Sequence, residues 1–413
     1  MEYQYHQLSN GIKIIHRELP GVVAHCGLMV NTGSRDEAEH ENGMAHFIEH
    51  LIFKGTKKRK AYHVLSRIEN VGGELNAYTT KEETCIYASF LHPYYDVSLE
   101  LFADVAFNSV FPVKEIKKEK DIIIDEINSY NDSPAELIFD DFEALIFNGH
   151  PLAGNILGDA AHVRRFRKKD VLDFVKRKYS TSQMVMASVG QIKFDKLVQL
   201  VEKYFGHIKP AETDNKRIPF TGYKAQIKKV DKESYQSHCM VGNLAYRSNH
   251  PKKMTLLLLN NLLGGPALNS RLSLGIREKY GFAYGIESVY QPYSDTGMFG
   301  IYLGTDPAYV DKGIELVIRE MKKLAGKKLG NIQLQRAKRQ LIGQLAINYE
   351  SKLNEMLAIA KSHLNNPQVK TYEEILSEIE EITAEDVLEV ANEVFHPDDM
   401  SVLIYNAREN DRS

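Results

Sequence analysis

The chain has 413 residues, 43% of them hydrophobic and 26% charged, with a formal net charge of −3. At about 100–200 residues per domain, this length favours two or more domains, and the composition is that of a soluble globular protein. A charge so near zero excludes a polyelectrolyte-seeking protein, and no uncharged apolar run approaches the ~20 residues of a membrane span.

The N-terminus, "MEYQYHQLSNGIKII", has no basic segment followed by an apolar one, so no signal peptide is visible. A cytoplasmic location is expected, although a trimmed exported form reads the same way. The first element is a hairpin, with Gly11 as the turn between "YQYHQLS" and "KIIHREL". A strand over 26–31, a loop, and a helix inside "GMAHFIEHLIFKGT" (43–56) follow. Gly72-Gly73 ends the next helix, and "ELNAYTT" and "TCIYASFL" are two strands joined by a charged "KEE" tip. Long helices are expected over 94–108 and 113–130.

A helix opened by Asp170-Val171-Leu172 then leads into the strand "MVMASV", which starts at Met184. With the same internal spacing, Asp386-Val387-Leu388 opens a helix that leads into "MSVLIY", starting at Met400. His25-Cys26 and His238-Cys239 head two similar strands. The chain thus reads as two related halves. "HIKPAETDNKRIPFTGYK" is charged, aperiodic and contains proline, as a linker does. In the second half, 256–263 belongs to a buried helix closed by Gly264-Gly265, and strands lie around Tyr284 and over 298–303. Strands and helices mix without strict βαβ alternation. The expected fold class is therefore α+β: two structurally related domains, each a mostly antiparallel sheet with helices packed against it. The expected divisions are 1–208, a linker at 209–222, and 223–413.

The three cysteines, Cys26, Cys85 and Cys239, are widely spaced and read as reduced structural thiols. The basic runs "KGTKKRK" (54–60) and "RRFRKK" (164–169) read as solvated loop and helix faces, so no nucleic-acid partner and no membrane partner is expected. No G-x-S-x-G, phosphate-loop or G-x-G-x-x-G pattern occurs.

Within 43–56, His46, Glu49 and His50 sit among Phe47, Ile48, Leu51 and Ile52. Helix positions i and i+4 share a face, so the two imidazoles point the same way, with Glu49 beside them. Burying such groups is costly unless they pair or coordinate a metal. Zinc suits imidazole and carboxylate, and a catalytic zinc takes three protein ligands and a water. The helix "EIKKEKDIIIDEINSY" offers Glu119 and Glu126 on one face, two turns apart. Glu126 follows Ile122-Ile123-Ile124, which argues for its burial, and Glu119 suits a place behind a liganding imidazole, fixing its tautomer. An ordinary charged helix face is the alternative for both.

"GMAHFIEHLIFKGT", "VGGELNAYTTKEETCIYA" and "EKDIIIDEI" together resemble the pitrilysin/insulysin superfamily of inverted-motif zinc peptidases (family M16). The nearest group is the compact bacterial one related to mitochondrial processing peptidase. The resemblance implies His46, His50 and Glu126 as ligands of one Zn2+ per chain, Glu49 as general base, and Glu119 behind the metal shell. "NSRLSLGIREKYGFAYGI" resembles the family's Arg/Tyr motif and implies Arg277 and Tyr284 as substrate-binding groups. It likewise places an extended peptide along the strand of Asn76 and Ala77, by backbone pairing. The short "LLGGPALNSRL" stretch lacks the longer glycine-rich loop of the processing peptidase's non-catalytic subunit, so presequence processing is not implied.

The resemblance implies hydrolysis of peptide bonds in unfolded peptides or short polypeptides. Family enzymes enclose substrate with four such domains. With both motifs on one chain, a homodimer is expected, and a heterodimer with a degenerate relative is its competitor. The rival from another class is a non-catalytic assembly or peptide-binding subunit of the same fold.

Overall fold

A computed structural model describes residues 2–211, 213 and 216–408. Residues 212, 214 and 215 of the expected linker, and residues 1 and 409–413 of the expected domains, lie outside the described residues. The chain divides into two compact units, each assembled from three stretches: 1–127, 154–217 and 346–372 in unit 1; 128–153, 218–345 and 373–413 in unit 2.

Unit 1 holds a six-stranded sheet: β1 (Gln4–Gln7), β2 (Lys13–Glu18), β3 (Val23–Val30), β4 (Glu74–Thr79), β5 (Thr84–Leu91) and β6 (Met184–Gly190). Its order is β1-β2-β6-β3-β5-β4, with β2 and β6 parallel and every other pair antiparallel. The β1–β2 hairpin turns at Gly11, whose φ of 96° is the left-handed conformation that glycine adopts without penalty.

Successive side chains of a strand face opposite sides. On β6, Met184 and Met186 join a core formed with the helices of one face, whereas Val185, Ala187 and Val189 join a second core. That second core is closed by helix Lys352–Asn365 through Met356, Ile359 and Ala360. The sheet is thus buried on both faces. The β4–β5 hairpin leaves β4 as a sheet edge.

Unit 2 repeats the plan with β7 (Ile227–Glu233), β8 (Ser237–Ala245), β9 (Ala283–Pro292), β10 (Gly297–Thr305) and β11 (Ser401–Arg408), in the order β7-β11-β8-β10-β9. Its single parallel pair is β7–β11. Replace β2, β6, β3, β5 and β4 by these strands and the order is the same; β1 is the addition in unit 1. Helix Pro134–Ile146 covers one face through Ile138, Phe142 and Leu145, packed with Met240, Leu403 and Tyr405. Helices Lys253–Gly264, Val310–Gly326 and Ala384–Val394 contribute to the core on the other. Cys26, Cys85 and Cys239 are free, buried strand residues. Among the described residues, no helix is long and apolar enough to cross a membrane.

Candidate metal centre

The motif occupies helix Met44–Ile52 of unit 1. Its entry is geometrically demanding. Gly43, the N-cap, has φ of 94°, and a Cβ there would lie 2.7 Å from the Leu157 carbonyl oxygen. Both facts call for glycine. Glu37 covers the exposed amides of the first turn, accepting from the Gly43 and Ala45 N–H groups at 2.9 and 2.8 Å. Burial pushes the Glu37 carboxyl up to about 8 against these two amide bonds, and it caps the turn by accepting N–H groups that the helix leaves unpaired. Met44, Phe47, Ile48 and Leu51 are buried in the core and hold the opposite side of the helix in place.

His46 and His50 project from the same side one turn apart, with ring centroids 4.7 Å apart. Glu126 comes from helix Val113–Asn131. Its Oε1 is 3.9 Å from His46 Nε2 and its Oε2 is 3.7 Å from His50 Nε2. All three ligand atoms lie within 4.8 Å of one another. The carboxylate-to-imidazole gaps are too long for hydrogen bonds. They are gaps of the size left where such residues would hold a common cation. Two imidazoles and a carboxylate are also the ligand chemistry of a catalytic zinc, so the residues fit the metal. Burial, with His50 adding, holds the His46 imidazole down at about 4, leaving it neutral with a lone pair available at neutral pH.

One expectation is corrected. Glu126 is not buried: its side chain is 42% exposed. Three consecutive isoleucines fan around a helix instead of lining one face. Only Ile123 of the three is fully buried; Ile122 is 41% exposed. The core-facing positions of this helix are Ile116, Glu119, Ile123 and Ile127, and Glu126 sits on the rim.

Glu119 is the buried acid, 1% exposed. Its Oε2 stands 3.2 Å from His50 Nδ1, and its Oε1 is 2.9 Å from Lys54 Nζ. The Nδ1 of His46, by contrast, is buried with no hydrogen-bond partner among the described residues. Glu49 lies outside the ligand set, with Oε2 buried and unpartnered among the described residues. Burial raises the Glu49 carboxyl above its ordinary value, and the Glu126 charge adds to it while the nearby Thr79 hydroxyl, which makes no hydrogen bond of its own among the described residues, and His50 oppose it.

Asn76 and Ala77 lie on the edge strand β4; Asn76 Oδ1 accepts from the Ala77 N–H at 3.2 Å, a local bond at an exposed position. Thr79 ends this strand, which connects the edge to the surroundings of Glu49. Arg277 and Tyr284 belong to unit 2. Arg277 is exposed on a π-helical turn, Ser273–Glu278. Tyr284, 62% exposed, lies near the start of β9. Neither side chain has a hydrogen-bond or ion-pair partner among the described residues.

Sequence reasoning missed Lys54 and Arg59, which it took for a solvated loop. Arg59 instead reaches Asp104 at 2.6 Å and Glu100 at 2.7 Å. It missed Thr79 and Glu37 as well. The signal for Glu37 was an acid shortly before a helix start, a common pattern with little specificity.

Comparison with known proteins bears on this site. The pattern of insulinase (peptidase family M16) matches residues 13–160, and that of the peptidase M16 inactive domain matches residues 165–341. The uncharacterized zinc protease YmxG of Bacillus subtilis is 32% identical over 398 residues, covering 96% of each chain. A probable mitochondrial-processing peptidase subunit beta of Schizosaccharomyces pombe is 30% identical over 410 residues, 96% of this chain and 89% of that one. Among solved structures, a protease from Helicobacter pylori superposes with a TM-score of 0.91 at 22% identity, over 98% of this chain and 99% of that chain. A peptidase M16 inactive domain protein from Pseudomonas fluorescens does so with a TM-score of 0.93 at 20% identity, over 99% and 98%.

Proposed function

The chain belongs to the insulinase family of peptidases, M16, and on that premise we propose that it is a zinc metallopeptidase hydrolysing peptide bonds in unfolded or short polypeptides. The observation that carries this reading is the convergence of His46, His50 and Glu126, with the half-buried Glu49 beside them, its Oε2 buried and outside the ligand set. These three residues would hold one zinc per chain. Zinc in such a site polarises a peptide carbonyl and makes a water acidic.

The other steps fall to the chain's own groups. Glu49 takes a proton from the attacking water at a carboxylate oxygen, then returns it to the amide nitrogen as the C–N bond breaks. The free edge of β4, at Asn76 and Ala77, pairs with the backbone of an extended peptide and aligns it without reading its sequence. Arg277 and Tyr284 donate hydrogen bonds to the substrate carbonyl. In a homodimer each chain would contribute both motifs; a native mass equal to the monomer's would count against that arrangement.

The test is incubation of the purified chain with a peptide mixture, with and without a zinc chelator, read by mass spectrometry. Cleavage should stop with the chelator and return with zinc. Glu49→Gln should keep the metal and lose roughly 10²–10⁴-fold in rate. A zinc-loaded wild-type chain that cuts nothing would point to a non-catalytic, peptide-binding subunit of the same fold.

A further inference from the structure

Lys54 opens a basic run, yet it is half-buried and paired with an acid. The motif helix ends at Ile52, and the chain turns so that the Lys54 N–H donates to the Leu51 carbonyl at 3.0 Å. This turn is tied to the loop that enters the Glu119 helix. The Val110 N–H donates to the Gly55 carbonyl at 3.1 Å, the Lys57 N–H to the Asn108 carbonyl at 2.9 Å, and Ser109 Oγ to the Ile52 carbonyl at 3.0 Å. The backbone therefore fixes where the Lys54 side chain starts relative to Glu119. From there Nζ forms an ion pair with Glu119 Oε1 at 2.9 Å, a charge contact and not a hydrogen bond, for Oε1 has no hydrogen-bond partner among the described residues, while the other oxygen of the same carboxylate faces His50 Nδ1 at 3.2 Å.

A carboxylate hydrogen-bonded at one oxygen keeps a terminal torsion that is broad and roughly two-fold. An ammonium charge beside the other oxygen, as Lys54 supplies, narrows that range. His50 can offer Nε2 as a ligand only if its proton sits on Nδ1, and an acceptor-only carboxylate opposite Nδ1 selects that tautomer. His46 has no such support among the described residues. His50 is thus the imidazole whose geometry the protein sets with side chains, and Lys54 is the last member of that chain of contacts.

We propose that Lys54 is a positioning residue of the metal centre: by fixing the Glu119 carboxylate it fixes the His50 tautomer and ring, and so sets the affinity of the site for zinc. The role rests on the zinc reading above, and it concerns metal binding, not the chemical step. A merely structural ion pair would change folding stability and leave the zinc dissociation constant of the folded protein alone.

The experiment is competition for zinc against a chromophoric chelator, using the full chain as wild type, Lys54→Met, Lys54→Arg, Glu119→Gln and the Lys54→Met/Glu119→Gln double variant. Far-UV circular dichroism checks that each is folded. Loss of an outer-shell partner weakens metal affinity by about 10–100-fold. Glu119→Gln should fall in that range, Lys54→Met near its lower end at about tenfold, and Lys54→Arg within about threefold of wild type. Because Lys54 acts through Glu119, the double variant should bind no more weakly than Glu119→Gln alone. Lys54→Gln replaces Lys54→Met if the latter does not fold. Equal affinity in wild type and Lys54→Met overturns the role, as does a Lys54 effect that persists undiminished beside Glu119→Gln. A wild-type chain that holds no zinc at all overturns the zinc reading itself, and the Lys54 role with it.

Discussion

Units 1 and 2 share one strand order, one parallel pair in the same place, and a helix over each face, yet they differ in what their helices carry. After β3, the chain of unit 1 enters a helix with two histidines and a glutamate on one side. After β8, the chain of unit 2 enters helix Lys253–Gly264, "KMTLLLLNNLLG", which carries no histidine or acid; its polar groups are Lys253, Thr255, Asn260 and Asn261. Both helices bury their leucines or isoleucines in a core beside a sheet. The fold is therefore satisfied either way, and the metal chemistry is an addition to it. The second ligand helix makes the same point. Val113–Asn131 buries Glu119 against His50 and Lys54, whereas Asn331–Tyr349 buries Lys338, whose Nζ donates to the Glu380 carbonyl at 2.7 Å. One unit's buried charge faces an imidazole; the other's simply finds a carbonyl.

The sharpest way to break this contrast is to remove one polar group from each helix. His46→Ala should abolish stoichiometric zinc binding, since it deletes one of the three proposed ligands and leaves two. Asn261→Ala, at a position 6% exposed in unit 2, should leave one zinc per chain. Metal analysis after dialysis reads both. Zinc lost from the Asn261 variant, with the fold intact by circular dichroism, would mean that unit 2 does more than scaffold.

A smaller effect tests whether the two cores are equivalent. Phe102 in unit 1 and Phe299 in unit 2 are both 0% exposed. Truncating a buried phenylalanine costs about 3–5 kcal/mol, through lost transfer energy and the cavity left behind. Phe102→Ala and Phe299→Ala should each fall in that range when unfolding is followed in denaturant. An effect well below it at one site would show that core to be loosely packed or able to collapse.

The repeat was legible in the sequence for a reason that the helices make plain. Asp170 and Asp386 each sit at the third position of a helix and accept the N–H of the residue before its first turn, at 2.8 Å in both. Val171 and Val387 are each buried at the next position. The same local problem has the same local answer, so the two stretches look alike. His46, Glu49 and His50 were legible because they fall within one turn. Glu126 was placed by family resemblance, and reasoning from its isoleucine neighbours gave the wrong burial. Lys54 was invisible because its partner lies far along the chain, and nothing in "KGTKKRK" separates it from the solvated lysines around it. Nor did the sequence tell which sheet helix Lys352–Asn365 covers: amphipathicity says that a face is buried, never against what.

Protons give the next test. In unit 1, burial lowers the pKa of His16, where it outweighs two backbone carbonyls, and also those of His25 and His363. In unit 2 it lowers those of His238 and of His250. A histidine whose folded pKa is depressed is neutral in the fold while the unfolded chain takes up a proton near pH 6.5. Its stabilising contribution is full above that pH and is lost as pH falls toward the folded value. Acid should therefore loosen the elements that carry these histidines, β2, β3 and helix Lys352–Asn365 in unit 1 and β8 in unit 2, while Glu37, whose carboxyl burial raises to about 8, works the other way at helix Met44–Ile52. Hydrogen exchange read by mass spectrometry at pH 7.5 and 5.5, corrected for the intrinsic rate, should show loss of protection in β2, β3, helix Lys352–Asn365 and β8. Protection unchanged in these four elements would count against it.

The smallest effect expected lies at the paired aspartates themselves. Thr383, before helix Ala384–Val394, completes a reciprocal cap: its Oγ1 accepts the Asp386 N–H at 3.1 Å while Asp386 accepts the Thr383 N–H. Arg167 holds the same position before helix Lys168–Lys178 and has no side-chain acceptor to offer, so that helix carries half the box. Losing a threonine cap costs about 1 kcal/mol. Thr383→Ala should lower stability by about that amount. Arg167→Thr should raise it by a few tenths of a kcal/mol, because the new cap outweighs the exposed Arg167–Asp170 ion pair it removes, a class of pair worth ~0–1 kcal/mol. Opposite signs at the two sites, measured by denaturant unfolding, would show that the units differ here by one missing oxygen acceptor. A stability loss in both would mean that Arg167 contributes through its contact with Asp170 more than exposed pairs ordinarily do.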